Sequence, residues 1–311
     1  MKKIALSALA GILLALSVSA GRPAVSVSAE GEPSRCWAVI VGISDYLSIE
    51  DTLYGSKGAQ EIYDVVAEVW PDENIRLLKD GQAAKYDVLS AVDWLASSAA
   101  PGDTVLFYFA GHGDDTGYLA PYNAYYEDTW ISSYELRNRL NRIKSSRRVV
   151  IIDSCHAGHH ETTLGVPGTV SLLSSRANQP SWEYGSLGAG VFTYFCIEAL
   201  SYFDLTDADD DFALTAEEVF LYAANRTAEY TRDNEIQNPV LVDVFEGGLA
   251  VFEKLVIGTD RSLPAVSDLI TLDGQPYSAI PRSITKPPGA AVEVALRPSV
   301  NEGEGTRYLF V

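Results

Sequence analysis

The stretch "VVIIDSCHAG" (residues 149–158) joins an apolar run to a group of reactive side chains. Four β-branched residues in succession predict a strand that is buried on both faces, as in a parallel sheet. The run ends at Asp153, and Cys155 follows it before Gly158 allows the chain to turn. In open parallel sheets, working groups collect beyond the carboxyl ends of the strands. Cys155 is therefore either a packing residue or a nucleophile, and features elsewhere in the sequence are needed to distinguish the two.

The chain on both sides of this stretch alternates between strand and helix patterns. Continuous apolar runs predict strands at 37–43, 74–80, 103–113, 147–155 and 169–175, followed by a last strand pair within 239–252. Apolar residues at helical spacing predict helices around 62–69, 88–95, 190–203 and after Leu214, and the capping pattern Ser132-x-x-Glu135 starts another. This alternation predicts an α/β fold with a mostly parallel sheet covered by helices on both faces.

The amino terminus carries the features of an export signal. "MKKIALSALAGILLALSVSA" has a short basic start, an apolar stretch too short for a good membrane span and a Val-Ser-Ala end. The same tripeptide recurs at Ala29, so cleavage after Ala20 or after Ala29 fits, and we assign 1–29 to the signal peptide. We expect a secreted or extracytoplasmic protein with no membrane span.

Composition restricts the partners of the mature protein. Asp and Glu number 42 against 23 Lys and Arg, a formal net charge of −19 that argues against nucleic acid or anionic lipid as a partner. Three cysteines are too few for a disulfide framework. We expect buried thiols at Cys36 and Cys196, with a disulfide between them as the alternative, which leaves Cys155 to be explained.

A second predicted strand also ends in a reactive side chain. The run at 103–113 closes in "AGHG", which contains His112. If the two strands are neighbours, the imidazole of His112 can generate the thiolate of Cys155 and later protonate a leaving amine. The backbone N–H groups of Gly113 and Cys155 would then bind the oxyanion that acyl transfer produces. This pattern favours a catalytic pair over a packing cysteine and a capping histidine.

Together these motifs resemble the caspase-like cysteine peptidases, in particular their bacterial, archaeal and metacaspase branch. The resemblance runs along most of residues 36–252 and rests on "WAVIVGISDY", "FYFAGHG", "VVIIDSCHAG", "GVFTYF" and "QNPVL". It implies a three-layer α/β/α peptidase domain, which we assign to 36–254. It also implies that Cys155 attacks the scissile carbonyl of a protein or peptide and that His112 acts as acid and base, without a cofactor for catalysis.

The side chain preferred before the scissile bond is predicted from Asp153. Residues two apart on a strand point to the same side, so Asp153 should lie beside Cys155 in the substrate pocket. A carboxylate favours a cation, and the resemblance to metacaspases implies that this Asp binds Arg or Lys. The resemblance also places the loop with Arg176 and Ser181 near the pocket, and Arg176 leaves an acidic preference open. The chain departs from the metacaspase pattern in "LYGSKGAQ" (53–60), where a second acidic residue is usual.

An acidic segment, "DLTDADDDFALTAEE" (204–218), forms a second candidate site. Its side chains follow the ligand spacing of a calcium loop between two helices, with Asp207, Asp209, Asp211, Thr215 and Glu218 as candidate ligands. Phe212 stands where such loops normally have Gly. We expect structural or activating Ca²⁺ here. The metal-free alternative is a helix N-terminus that Thr215 caps with Glu218.

Three histidines, His156, His159 and His160, crowd the loop after Cys155. Further ligands at a spacing suitable for zinc do not accompany them, and a bound metal would quench the nucleophile. We expect them to be solvated loop residues.

The pattern of apolar and turn-forming residues changes after residue 254. Residues 255–311 contain short apolar stretches broken by "DGQP", "KPPG" and "NEGEG", which predicts a small β module or an irregular extension of the main domain. A module would provide a site for a cell-surface or protein partner.

The leading functional prediction for the whole chain is an exported endopeptidase. A catalytically silent caspase-like binding protein and a transpeptidase or ligase with the same thioester chemistry remain alternatives.

Overall fold

The structure, a computed structural model, describes residues 24–27, 35–233, 235–257, 270–272, 275–277, 282–288, 292–296, 300–302 and 306–308. It forms two compact units, one of Ser34–Glu253 and one of Met1–Pro33 with Lys254–Val311. Most of the predicted signal peptide, and many residues of the predicted module at 255–311, lie outside the described residues.

A six-stranded sheet forms the centre of the larger unit. In chain order its strands are β1 (Cys36–Gly42), β2 (Ile75–Lys79), β3 (Thr104–Ala110), β4 (Arg148–Asp153), β5 (Thr169–Leu173) and β6 (Val240–Asp243). Their order across the sheet is β6-β5-β4-β3-β1-β2. Neighbours run parallel, except that β6 is antiparallel to β5. This mostly parallel sheet confirms the predicted fold class.

Helices connect and flank these strands. They are α1 (Gly55–Ala67), α2 (Lys85–Ser98), α3 (Ser133–Leu140), α4 (Val191–Ser201) and α5 (Ala216–Thr231), with one-turn helices at Glu161–Leu164 and Phe203–Thr206. The predicted capping box starts α3, where the Ser132 hydroxyl accepts a hydrogen bond from the backbone N–H of Glu135. A cap of this kind stabilises a helix by about 1 kcal/mol.

The side chains of the central strands point alternately to the two faces of the sheet, and each face is covered by its own layer of helices. Ile40 and Tyr108 are buried against the face that carries α1, α4 and α5. Their chain neighbours Val39 and Phe107 are buried against the opposite face, which carries α2 and α3. Successive strand residues point to opposite faces, so one apolar run fills both cores. The result is a three-layer α/β/α sandwich.

The two strands expected as a pair within 239–252 find other partners. Strand β6 extends the main sheet through β5, with Leu241 opposite Leu172. The second strand, β7 (Ala250–Ile257), pairs with the short strand Ala213–Thr215 that precedes α5. Each of the two strands thus joins a different ladder.

The smaller unit is built from short strands. Four of them form an antiparallel sheet in the order Ala24–Val27, Val292–Leu296, Ile270–Leu272 and Gln275–Tyr277. Val300–Glu302 pairs with Thr306–Tyr308 in a separate ladder. Across the described parts of both units, no helix has the length and apolarity needed to cross a membrane.

Candidate active site

The carboxyl ends of β3 and β4 deliver His112 and Cys155 to one cleft. The two strands are parallel neighbours, with Ala110 opposite Asp153 at the last paired position. A cleft of about 360 Å³ opens beyond them and is lined by His112, Asp153 and Cys155. The chain thus places an imidazole and a thiol, 43 residues apart in sequence, in the same space.

Gly113 is the point at which the two strand ends touch. A Cβ atom at this position would lie 2.6 Å from the carbonyl oxygen of Cys155 and 2.7 Å from Ser154 Oγ, so only glycine fits. Gly113 forms an antiparallel bridge with Leu119 whose hydrogen bonds are made by the flanking residues. This pairing does not use the N–H of Gly113.

A backbone carbonyl sets the tautomer of His112. Its Nε2 lies 2.9 Å from the carbonyl oxygen of Glu50. A carbonyl only accepts, so Nε2 carries the proton and Nδ1 of the neutral ring is left as the base. Tyr46 supports the same residue: its hydroxyl accepts from the backbone N–H of His112 at 2.8 Å, and the two rings lie 5.1 Å apart. Sequence reasoning missed Glu50 because the contact is made by its backbone.

Cys155 is partly buried, and the pKa of its thiol is raised. Its Sγ donates to the carbonyl oxygen of Ser181 at 3.8 Å. Burial raises the pKa of the thiol, and the nearby carboxylates of Asp153 and Glu183 raise it further. A raised pKa favours the thiol over the thiolate near neutral pH.

The chain turns immediately after Cys155. His156 adopts the left-handed conformation (φ 60), and its backbone N–H donates to Gln179 O at 2.9 Å. Histidine tolerates this region better than most residues. We expected the turn at Gly158, but that residue instead allows close packing: a Cβ there would lie 2.3 Å from the backbone nitrogen of Ala177.

The expectation of three solvated histidines is wrong for His160. This side chain is 1% exposed, because the turn Ala157–His160 folds it into the domain. Burial, aided by neighbouring His159, lowers the pKa of His160 to about 4. His156 and His159 are partly buried.

Asp153 is buried at the base of the cleft and is held by three hydrogen bonds. Its Oδ1 accepts from the Ser181 hydroxyl at 2.6 Å, and its Oδ2 accepts from the Thr193 hydroxyl at 2.6 Å and the Thr193 N–H at 3.1 Å. Ser181 also accepts from the buried amide of Gln237, the first residue of "QNPVL", at 3.0 Å. Ser181 therefore fixes the orientation of Asp153.

The cleft is acidic. Among the described residues, its acidic lining consists of Glu50, Asp51, Asp153 and Glu183, with no Lys or Arg. Arg176 is exposed in the turn against Gly158 and does not line the cleft. Glu183 was missed from sequence, where only its spacing of two residues from Ser181 in "SWEY" indicated a shared side. The structure thus brings together Asp153 and Ser181 and leaves Arg176 outside.

The acidic segment 204–218 presents two features at once. Carboxylate oxygens of Asp207, Asp209 and Asp211 lie within 4.8 Å of one another. Oδ1 of Asp207 is buried without a hydrogen-bond partner in the described part of the chain. Thr215 and Glu218 form the capping box that starts α5, and Phe212 has a left-handed backbone (φ 68). The three aspartates lie close together, as the ligands of a cation do. The other two candidate ligands, Thr215 and Glu218, cap α5.

Comparison with known proteins agrees with a caspase-like fold. A family model described as the caspase domain of the C14 peptidases matches residues 35–243, and the chain belongs to this family. Membership suggests a cysteine-type peptidase domain.

Similar curated proteins are metacaspases. The chain is 24% identical to Metacaspase-1A of Aspergillus oryzae over 203 residues, 54% of this chain and 48% of that protein. It is 30% identical to Metacaspase-3 of Plasmodium falciparum over 105 residues, 29% of this chain and 4% of that protein. This chain thus spans less than half of these relatives.

A solved structure supports the fold. Protein GSU0716 from Geobacter sulfurreducens superposes with a TM-score of 0.51 at 14% identity, over 70% of this chain and 97% of that one.

Proposed function

We propose that this protein is an endopeptidase in which Cys155 and His112 form the catalytic dyad. The observation that carries the proposal is the shared cleft, in which the Glu50 carbonyl leaves Nδ1 of His112 as the base. Because the resting thiol has a raised pKa, His112 acts as a general base during attack.

Cleavage proceeds through a thioester. Sγ of Cys155 attacks the scissile carbonyl carbon as its proton passes to His112, and the N–H groups of Gly113 and Cys155 stabilise the oxyanion. The C–N bond then breaks, and His112 returns the proton to the leaving amine. Water, deprotonated by His112, hydrolyses the thioester, releases the new carboxyl terminus and restores the thiol.

We propose that the residue before the scissile bond is Arg or Lys. Four acidic residues and no Lys or Arg among the described residues of the cleft lining support this choice, and exposed Arg176 does not line the cleft. A cation of the substrate would compensate the buried negative charge of Asp153. Arginine is favoured over lysine where bidentate contact is possible.

A positional peptide library tests the specificity. The purified protein should cleave after Arg or Lys. The Asp153→Ala variant should turn over basic peptides far more slowly, while the rate at which Cys155 reacts with iodoacetamide should change much less. Efficient cleavage after Asp, with none after Arg or Lys, would overturn the assignment.

Export remains a proposal that rests on the amino-terminal sequence. The strand Ala24–Val27 belongs to the sheet of the smaller unit, and cleavage after Ala29 would remove it. We therefore propose processing after Ala20 and an extracytoplasmic location.

For the smaller unit we propose contact with a cell-surface or protein partner, because its separate β sheet offers a surface that catalysis does not use.

We also propose a Ca²⁺ site in the segment 204–218. Its support is the convergence of Asp207, Asp209 and Asp211 together with the buried, unpartnered Oδ1 of Asp207. Oxygen ligands of this kind suit Ca²⁺, which would relieve the repulsion among the three carboxylates. The capping box of Thr215 and Glu218 can persist beside such an ion.

A further inference from the structure

Glu183 reaches the cleft from a segment remote in sequence from both catalytic residues. It lies in the short strand Glu183–Tyr184, directly opposite Gly190 of the strand Ala189–Gly190. Gly190 in turn abuts Asp153, because a Cβ atom there would lie 2.6 Å from Asp153 Oδ2. Glu183 and Asp153 therefore flank the same small residue, and both line the cleft.

The two carboxylates differ in the acceptor capacity left to them. A carboxylate offers about four lone-pair positions. Asp153 already accepts three hydrogen bonds from Ser181 and Thr193. Glu183 accepts two, from the backbone N–H of Leu53 at 2.7 Å and that of Tyr54 at 3.0 Å. Glu183 thus retains more capacity for a substrate cation than the buried aspartate.

The two backbone contacts also fix the orientation of the Glu183 carboxylate. Each oxygen takes one N–H group from consecutive residues, so the plane of the carboxylate is set before a ligand arrives. A fixed planar carboxylate with free positions on both oxygens matches the fork of a guanidinium group. The side chain is only partly buried, so a ligand can reach it.

We infer that Glu183 is a specificity-determining residue that binds the guanidinium or ammonium group of the substrate together with Asp153. The inference rests on the proposed peptidase function and extends it from one carboxylate to two. Asp153 supplies buried negative charge at the base of the cleft, and Glu183 supplies the acceptors that the cation contacts.

A structural role for Glu183 makes a different prediction. Leu53 and Tyr54 belong to the loop that also contains Glu50, whose carbonyl oxygen contacts His112. If Glu183 served only to hold this loop, its loss would slow all substrates by the same factor. Selectivity between charged and neutral side chains separates the two roles.

The test compares two peptides that differ only by Arg or citrulline before the scissile bond, because citrulline keeps the shape and lacks the charge. Glu183→Gln should lower the Arg-to-citrulline ratio of kcat/KM by about tenfold or more, the equivalent of about 1.4 kcal/mol. Glu73→Gln, at an exposed residue outside the cleft, removes the same charge and should leave the ratio unchanged.

An unchanged ratio in Glu183→Gln, with both peptides slowed equally, would overturn the inference and leave the loop-holding role. The amide group of Gln would face a backbone N–H; if that prevents folding, Glu183→Ala removes the carboxylate without adding a donor, and the same ratio is read. Wild-type protein that cleaves neither peptide would refute the peptidase proposal instead, so the two failures are distinct.

Discussion

In the proposed mechanism, the environment of one side chain, Cys155, determines when its thiolate forms. Burial and two neighbouring carboxylates raise the pKa of its thiol, which donates a hydrogen bond to the carbonyl oxygen of Ser181. A thiol of raised pKa carries little thiolate near neutral pH. In the proposed mechanism the thiolate therefore forms as the substrate reacts, with His112 as the base.

Alkylation by iodoacetamide measures this pKa directly. Raising a thiol pKa lowers the thiolate fraction at every pH below it, so native Cys155 should react more slowly at neutral pH than cysteine in a short peptide. Its rate should still be rising above about pH 9, and Asp153→Asn, which removes a nearby negative charge, should move the profile to lower pH. A plateau reached below neutral pH would indicate a resting thiolate and contradict this account.

Side chains at strand ends could be predicted from sequence, whereas contacts made by loops could not. His112 and Cys155 each follow an apolar run, and parallel strands bring their carboxyl ends to one edge. Glu50 acts through its carbonyl, which no sequence pattern encodes. Glu183 lies 28 residues beyond Cys155 and reaches the cleft through a two-residue ladder with Ala189–Gly190.

At the scale of elements, the regular strands and helices follow from periodicity. Continuous apolar runs assign β1, β3 and β4 to the sheet centre, because each run buries both faces. The partners of β6 and β7 were less predictable. The Gly247–Gly248 pair between them resembles a hairpin turn, yet each strand joins a different ladder, because open edges elsewhere compete for short strands.

The segment between Phe203–Thr206 and α5 should respond to Ca²⁺. An ion that binds only the native loop stabilises the fold by about 2.7 kcal/mol at roughly a hundredfold excess over its Kd, which raises the thermal midpoint by several degrees. The midpoint is measured by differential scanning calorimetry with and without Ca²⁺. Asp207→Asn with Asp211→Asn should abolish the shift.

Two exposed aspartates elsewhere provide the control. Asp87→Asn with Asp115→Asn makes the same change in net charge and should leave the Ca²⁺ response intact. A wild-type midpoint unmoved by millimolar Ca²⁺, with no heat of binding, would leave the capping box of Thr215 and Glu218 as the sole role of the segment.

The molecule as a whole carries the same sign of charge as its cleft. A net charge of −19 surrounds a cleft whose described lining has four acidic residues and no Lys or Arg. Such a field attracts cationic peptide segments and repels acidic ones before contact. The family match at 35–243 falls within the larger unit, Ser34–Glu253, so the catalytic fold and the acidic cleft belong to the same part of the chain.

Turnover by Cys155→Ala tests the central claim most directly. Exchange of the thiol for a hydrogen removes the nucleophile at little packing cost, so kcat/KM on an Arg peptide should fall by about a thousandfold or more while the thermal midpoint is retained. Cys36→Ala makes the same change at a buried cysteine at the start of β1, away from the cleft, and should keep its activity. Cleavage by Cys155→Ala at near the parental rate would contradict the account.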